Sequence, residues 1–212
     1  MSSAPNPSRP QHIELDYRDP RFSCYPADLT SMHGRLLVIS LRDLVLWSRE
    51  GEELARVPSV GGSQRFYPSA RPDCVLLGPT SPGAGNPLRL FQVTDSGLTL
   101  LKERLTPELE FKIGNIHAVD TEEGLYIATS DLFAFCDWEQ DEPIRKHPLQ
   151  SSTRTICFSP DGTRLAVSHK GRTTIEILST ADGTVVQELS CEGTPWSGYV
   201  VVDWGEGGHF LT

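Results

Sequence analysis

The side chains able to do chemistry are spread thinly along this chain. Six histidines (His12, His33, His117, His147, His169 and His209) lie twenty or more residues apart. No His-Glu-x-x-His, His-x-His or Cys-x-x-Cys occurs, so spacing proposes no metal site. The five cysteines, Cys24, Cys74, Cys136, Cys157 and Cys191, are odd in number and follow no pattern. That suits free thiols in a reducing cytoplasm better than a disulfide framework. The glycine-rich stretch GPTSPGAGNP, from Gly78 to Pro87, lacks the third glycine of a dinucleotide fingerprint and the Lys-Ser/Thr of a phosphate loop. There is no Gly-x-Ser-x-Gly nucleophile elbow. The acidic pairs Glu52-Glu53, Glu122-Glu123 and Asp141-Glu142 fall among turn residues, where solvated hairpin tips account for them.

Only a fold that gathers distant residues could make a site from such groups, so the elements decide. The chain has 212 residues, 38% of them apolar, with 18 Gly and 16 Pro. No window carries a sustained helical stripe, and so many turn formers point to an all-β chain. A formal net charge of -9 with scattered basic residues argues against a nucleic-acid partner. No run approaches the roughly 20 apolar residues that span a bilayer, so no membrane partner is expected. Residues 1–10, MSSAPNPSRP, contain no signal-like apolar segment and are expected to be a disordered tail. The domain proper is expected over residues 11–212.

One pattern recurs. In FSPDGTRLAVSHKGRTTIEILSTADGTVVQELS, from Phe158 to Ser190, two Asp-Gly turns punctuate short alternating runs. With Thr155–Phe158 in front, these runs make a four-stranded antiparallel unit. Similar units hold Arg35–Ser40, Leu44–Ser48 and Glu53–Val57, then Cys74–Gly78, Leu88–Val93 and Leu98–Lys102, then Leu125–Thr129, Leu132–Cys136 and Pro143–Lys146. Tyr199–Trp204 and His209–Thr212 begin a fifth. Second strands recur about every 40–50 residues, the period of radially repeated sheets.

These units resemble degenerate blades of a WD40-type or YVTN-type β-propeller, from about Phe22 onward. The Gly-His and Trp-Asp pairs of strict WD40 repeats are missing: Trp47 is followed by Ser48. The resemblance implies an all-β propeller with four complete four-stranded blades plus a partial fifth. The first inner strand is expected at Arg21–Tyr25, and Gln11–Tyr17 could return as a clasp on the last blade. Closure requires either a five-bladed ring with an incomplete blade or a stretch of a larger ring, and the missing strand favours the latter. The expected function is a non-enzymatic scaffold that grips a protein or peptide on one face, with no cofactor. Its loops there fall near Gly62–Arg65, Gly78–Pro87, Gly114–Asn115, Ser151–Arg154, His169–Arg172 and Gly193–Ser197. Arg65, Arg154 and Trp196 are the expected partner contacts. The alternative is a propeller hydrolase or lactonase-like enzyme. That reading requires several of His117, Asp120, Asp131, His169 and Asp203 to converge on the central channel as a metal or acidic site.

Overall fold

The structure is a computed structural model that describes residues 28–39, 43–58, 64–80, 87–105, 116–140, 142–150, 153–190, 203–204 and 210–211. Among them there is no helix. The strands fall in chain order into four four-stranded antiparallel sheets and one two-stranded sheet. The first comprises β1 (Asp28–Met32), β2 (Arg35–Ile39), β3 (Asp43–Trp47) and β4 (Glu53–Pro58). The second comprises β5 (Gln64–Tyr67), β6 (Cys74–Pro79), β7 (Pro87–Thr94) and β8 (Gly97–Leu105). β9 (His117–Asp120), β10 (Leu125–Ala128), β11 (Leu132–Cys136) and β12 (Arg145–Pro148) form the third. The fourth holds β13 (Thr153–Phe158), β14 (Arg164–His169), β15 (Thr174–Ser179) and β16 (Val185–Ser190), and β17 (Asp203–Trp204) pairs with β18 (Phe210–Leu211). Four complete units and the start of a fifth are what the repeat implies.

The second strands read as unbroken apolar runs because both their faces are buried. Successive strand residues point to opposite faces, and the core divides accordingly. Leu37 and Ile39 of β2 pack with Val75 and Leu77 of β6 between the first and second sheets. Cys74 and Leu76 of that same β6 turn the other way, onto Leu125 and Ile127 of β10. Tyr126 and Ala128 of β10 then meet Leu165 and Val167 of β14. The second and third sheets are therefore each glued to both neighbours by alternate residues of one strand. The fourth strands are the opposite case. β16 is exposed along nearly its whole length, as suits an outermost strand.

The first strands lie side by side: β1 packs beside β5, β5 beside β9, β9 beside β13 and β13 beside β17. At the far ends of two of them the neighbouring sheets are tied directly. Asp120 N donates to Pro68 O (3.1 Å) and Ala70 N donates to Asp120 O (2.8 Å).

Two elements sit elsewhere than expected. The first strand of the first sheet is Asp28–Met32, not Arg21–Tyr25, which lies outside the described residues together with Gln11–Tyr17. The cause is a two-residue hairpin. His33 (φ 51°) and Gly34 (φ 73°) are both left-handed, the geometry that joins antiparallel strands most tightly, and it sets Met32 opposite Arg35. The last strand of the third sheet is Arg145–Pro148 rather than Pro143–Lys146. Pro143 has no N–H, and Ile144 N is taken by Phe135 O at 2.9 Å, so the ladder runs from Arg145 onward.

Candidate functional site

The packed first strands enclose a cavity of about 550 Å³. Thr30 and Met32 of β1, Arg65 and Tyr67 of β5, His117 and Ala118 of β9, and Cys157 and Phe158 of β13 all line it. It is therefore an axial cavity, built from the innermost strand of each sheet. No carboxylate lines it among the described residues.

Tyr67 is its fixed wall. The residue is 5% exposed, and its hydroxyl lies 2.6 Å from Pro79 O and 2.9 Å from Ile116 O, which anchors the ring between the second and third sheets. Gly78, opposite Arg65 in the ladder, leaves room for that ring: a Cβ there would stand 2.3 Å from Leu88 Cδ2 and 3.1 Å from Tyr67 Cε2. The Arg65 guanidinium lies over the Tyr67 ring, 5.5 Å from its centroid, in cation–π range. His117 shares the cavity. Burial, and secondarily the charge of Arg65, lower its pKa to about 4, so near neutral pH the imidazole is uncharged.

The residues expected for an enzyme do not converge there. Asp120 is fully buried but turned between the sheets. Its Oδ1 accepts from Trp138 Nε1 (2.9 Å), and its Oδ2 accepts from Ser69 Oγ (2.7 Å) and Arg71 Nε (2.9 Å). That carboxylate is a structural tie between second and third sheets. Asp131 lies in the turn from β10 to β11, beside Ser130. His169 is buried within the fourth sheet, with Nε2 3.1 Å from Glu176 Oε2, and Arg172 Nη1 holds the other Glu176 oxygen at 3.0 Å. Asp203 belongs to β17, and its side chain lies outside the described residues. Of the four whose side chains are described, His117 alone lines the axial cavity. No three His, Cys, Asp or Glu side chains come together as metal ligands among the described residues.

Of the expected partner contacts, Arg65 lies within β5 rather than in a loop and faces the cavity. Arg154 is exposed and is the extra residue of a β-bulge, between Thr153, which pairs with His169, and Thr155, which pairs with Ser168. Trp196 lies outside the described residues, as do the loop positions 62–63, 81–86, 114–115, 151–152 and 193–197. The sequence reading missed Tyr67, Thr30, Met32 and Cys157. The alternation of Arg65 and Tyr67 on one strand was the available signal for the first. Cys74 and Cys136 are free and buried, and Cys157 is half-buried with its Sγ donating to Phe158 O at 3.6 Å. A second groove of about 420 Å³ lies between the third and fourth sheets, among Glu122, Glu123 and Asp161. Asp161 is occupied there by its own turn, accepting from Ser159 Oγ (2.6 Å), Thr163 N (3.1 Å) and Thr163 Oγ1 (2.9 Å).

Solved structures share this arrangement. The chain superposes on the β-propeller domain of Cps50 (Swd1) from Myceliophteria thermophila with a TM-score of 0.61 at 13% identity, covering 87% of this chain and 60% of that one. The fold is a β-propeller. Raptor from Chaetomium thermophilum gives a TM-score of 0.58 at 14% identity, over 82% of this chain and 16% of that one. A protein of unknown function from Bacteroides caccae gives 0.58 at 13%, over 85% and 67%. No family model and no curated protein sequence matches the chain. The chain thus spans about 60% of the first of these structures, and the four sheets are four successive propeller blades. The cavity occupies the position of the propeller axis.

Proposed function

We propose that the chain is a non-enzymatic interaction scaffold that holds a protein or peptide against one face of the propeller. The observation that carries this is the composition of the axial cavity. A guanidinium, an aromatic wall and an uncharged imidazole face it without a carboxylate, so the cavity has groups for gripping a ligand and lacks a general acid–base couple among the described residues. The second and third blades behind it are stiff, because each is packed on both faces against a neighbouring blade.

The binding face is the end where the 4→1 and 2→3 connections emerge, beside the exposed Arg154 and Lys170. Amine crosslinking of the captured complex followed by mass spectrometry tests this. Partner crosslinks are expected at Lys170, and not at Lys102 or Lys146 on the outer strands, and Arg154→Glu is expected to weaken capture of the same partner about tenfold or more, the loss of one good charged contact. Crosslinks spread evenly over all three lysines, with capture indifferent to Arg154→Glu, would remove the reading.

A further inference from the structure

The other partly buried arginines of the described residues all have oxygen acceptors. Arg35 holds Asp95, Arg71 holds Asp120 (2.9 Å) and Arg89 holds Glu103 (2.5 Å). Arg145 donates to Ala181 O (2.9 Å), and the more deeply buried Arg104 donates to Asp137 O. Arg65 is the exception. It is half-buried and lies over an aromatic ring, yet among the described residues it has neither a hydrogen-bond acceptor nor a carboxylate partner. A guanidinium withdrawn from water without a counter-charge is costly, and an anion that enters relieves the cost. Its planar fork matches two oxygens of a carboxylate or phosphate.

The surroundings select the same ligand. The protein is acidic overall, at -9, while its axial cavity presents a cation and no carboxylate. His117 in the same cavity donates one N–H when neutral and gains a second, with a positive charge, once protonated. The apolar lining from Met32 and Phe158, together with the Tyr67 ring, places low-polarity groups beside the guanidinium, which strengthens its attraction for an anion. About 550 Å³ is room for a side chain or two, not for a folded domain.

We propose that the axial cavity is an oxyanion-binding site in which Arg65 receives paired carboxylate or phosphate oxygens, with His117 as the companion donor. This deepens the scaffold reading by naming the chemistry that a bound peptide brings to the axis.

The test follows the His117 imidazole resonances by NMR while two probes are titrated separately, a capped di-glutamyl peptide and inorganic phosphate. Wild type is expected to show a saturable shift and a rise in the His117 titration midpoint with at least one probe. Arg65→Gln should weaken that binding about tenfold or more, and Arg65→Lys, which keeps the charge, should retain part of it. Response to the peptide assigns a peptide carboxylate as the source, and response to phosphate alone assigns a free oxyanion. No saturable response to either probe, or an unchanged response in a folded Arg65→Gln protein, overturns the proposal. Partner capture is read independently. A wild-type protein that captures its partner but shows no anion response sinks the oxyanion site alone, whereas an anion response without a captured partner sinks the scaffold alone.

Discussion

Replacing His117 by Gln gives a sharp measure of how closed the axis is. In an unfolded chain an imidazole takes up its proton near pH 6.5; in the cavity, burial first and the Arg65 charge second hold that step down to about 4. Between those values the unfolded chain binds a proton that the folded chain refuses. The folded pKa of this basic group is depressed, so the group costs nothing above pH 6.5 and destabilises progressively as pH falls toward 4. The difference corresponds to about 3 kcal/mol at most, a large fraction of the ~5–15 kcal/mol that holds a typical domain. Urea unfolding of wild type and His117→Gln at pH 4, 5, 6 and 7.5 measures it. The variant changes stability at neutral pH by some constant amount, which is not diagnostic. The slope is. Carboxylates such as Asp161 titrate in both proteins and cancel, so wild type is expected to lose about 2–3 kcal/mol more than the variant between pH 7.5 and 4. Arg65→Gln should reduce that excess loss, because it removes the second cause of the depression. Parallel pH profiles for wild type and His117→Gln would show that the imidazole is not withdrawn from water, and with it would go the reading of His117 as a buried member of the axial cavity.

Three further expectations follow from particular contacts. Asp120→Ala leaves the donors of Trp138, Ser69 and Arg71 without their acceptor and should destabilise the protein by about 3–5 kcal/mol by chemical denaturation, whereas Trp138→Phe, which removes one hydrogen bond, should cost about 1–2 kcal/mol. Gly162→Ala should cost about 1–3 kcal/mol in thermal unfolding, since Gly162 sits at φ 70° and a Cβ would stand 2.3 Å from Thr121 Cγ2 of the neighbouring blade. Asp161→Ala should flatten the acid limb of the stability curve. Burial opposes ionisation of Asp161, but the bonds from Ser159 and Thr163 outweigh it and hold the pKa below the ordinary value, so wild type has this stabilisation above the usual carboxylate range and loses it as pH drops.

The architecture was legible where strands bury both faces and turns are chemically marked. Leu36–Ile39, Leu76-Leu77 and Leu165–Val167 announce doubly buried strands, and Ser159-Pro160-Asp161-Gly162 announces its turn, whose Asp161 oxygens the structure finds occupied as a turn residue requires. What escaped was most of the inner strands, Thr155–Phe158 within β13 excepted. Gln64–Tyr67 and His117–Asp120 have four residues each and mix polar with apolar positions, so neither shows a usable period. The His33-Gly34 hairpin escaped too, because a left-handed histidine is uncommon and nothing in the pattern around it separates a tight hairpin from a loop. The candidate site was half legible. Arg65 and His117 were singled out, but as parts of different hypotheses, and only β5 lying beside β9 puts them in one cavity.

The inner strands are hard to read for the same reason that they carry the site. Each answers to three demands, two blade interfaces and the axis, where an outer strand answers to one. A polar residue on such a strand has two outcomes. Asp120 turns between blades and has its oxygens filled by Ser69, Arg71 and Trp138, so its charge holds the stack together and is closed to a ligand. Arg65 turns to the axis and lies over the face of Tyr67, and among the described residues its hydrogen-bonding capacity stays open. Both are charged residues on adjacent first strands, and charge alone would rank the fully buried Asp120 as the stronger functional candidate. The direction in which the side chain leaves its strand reverses that ranking, and on this fold it separates the residues that tie the blades together from the residue that faces the axial cavity.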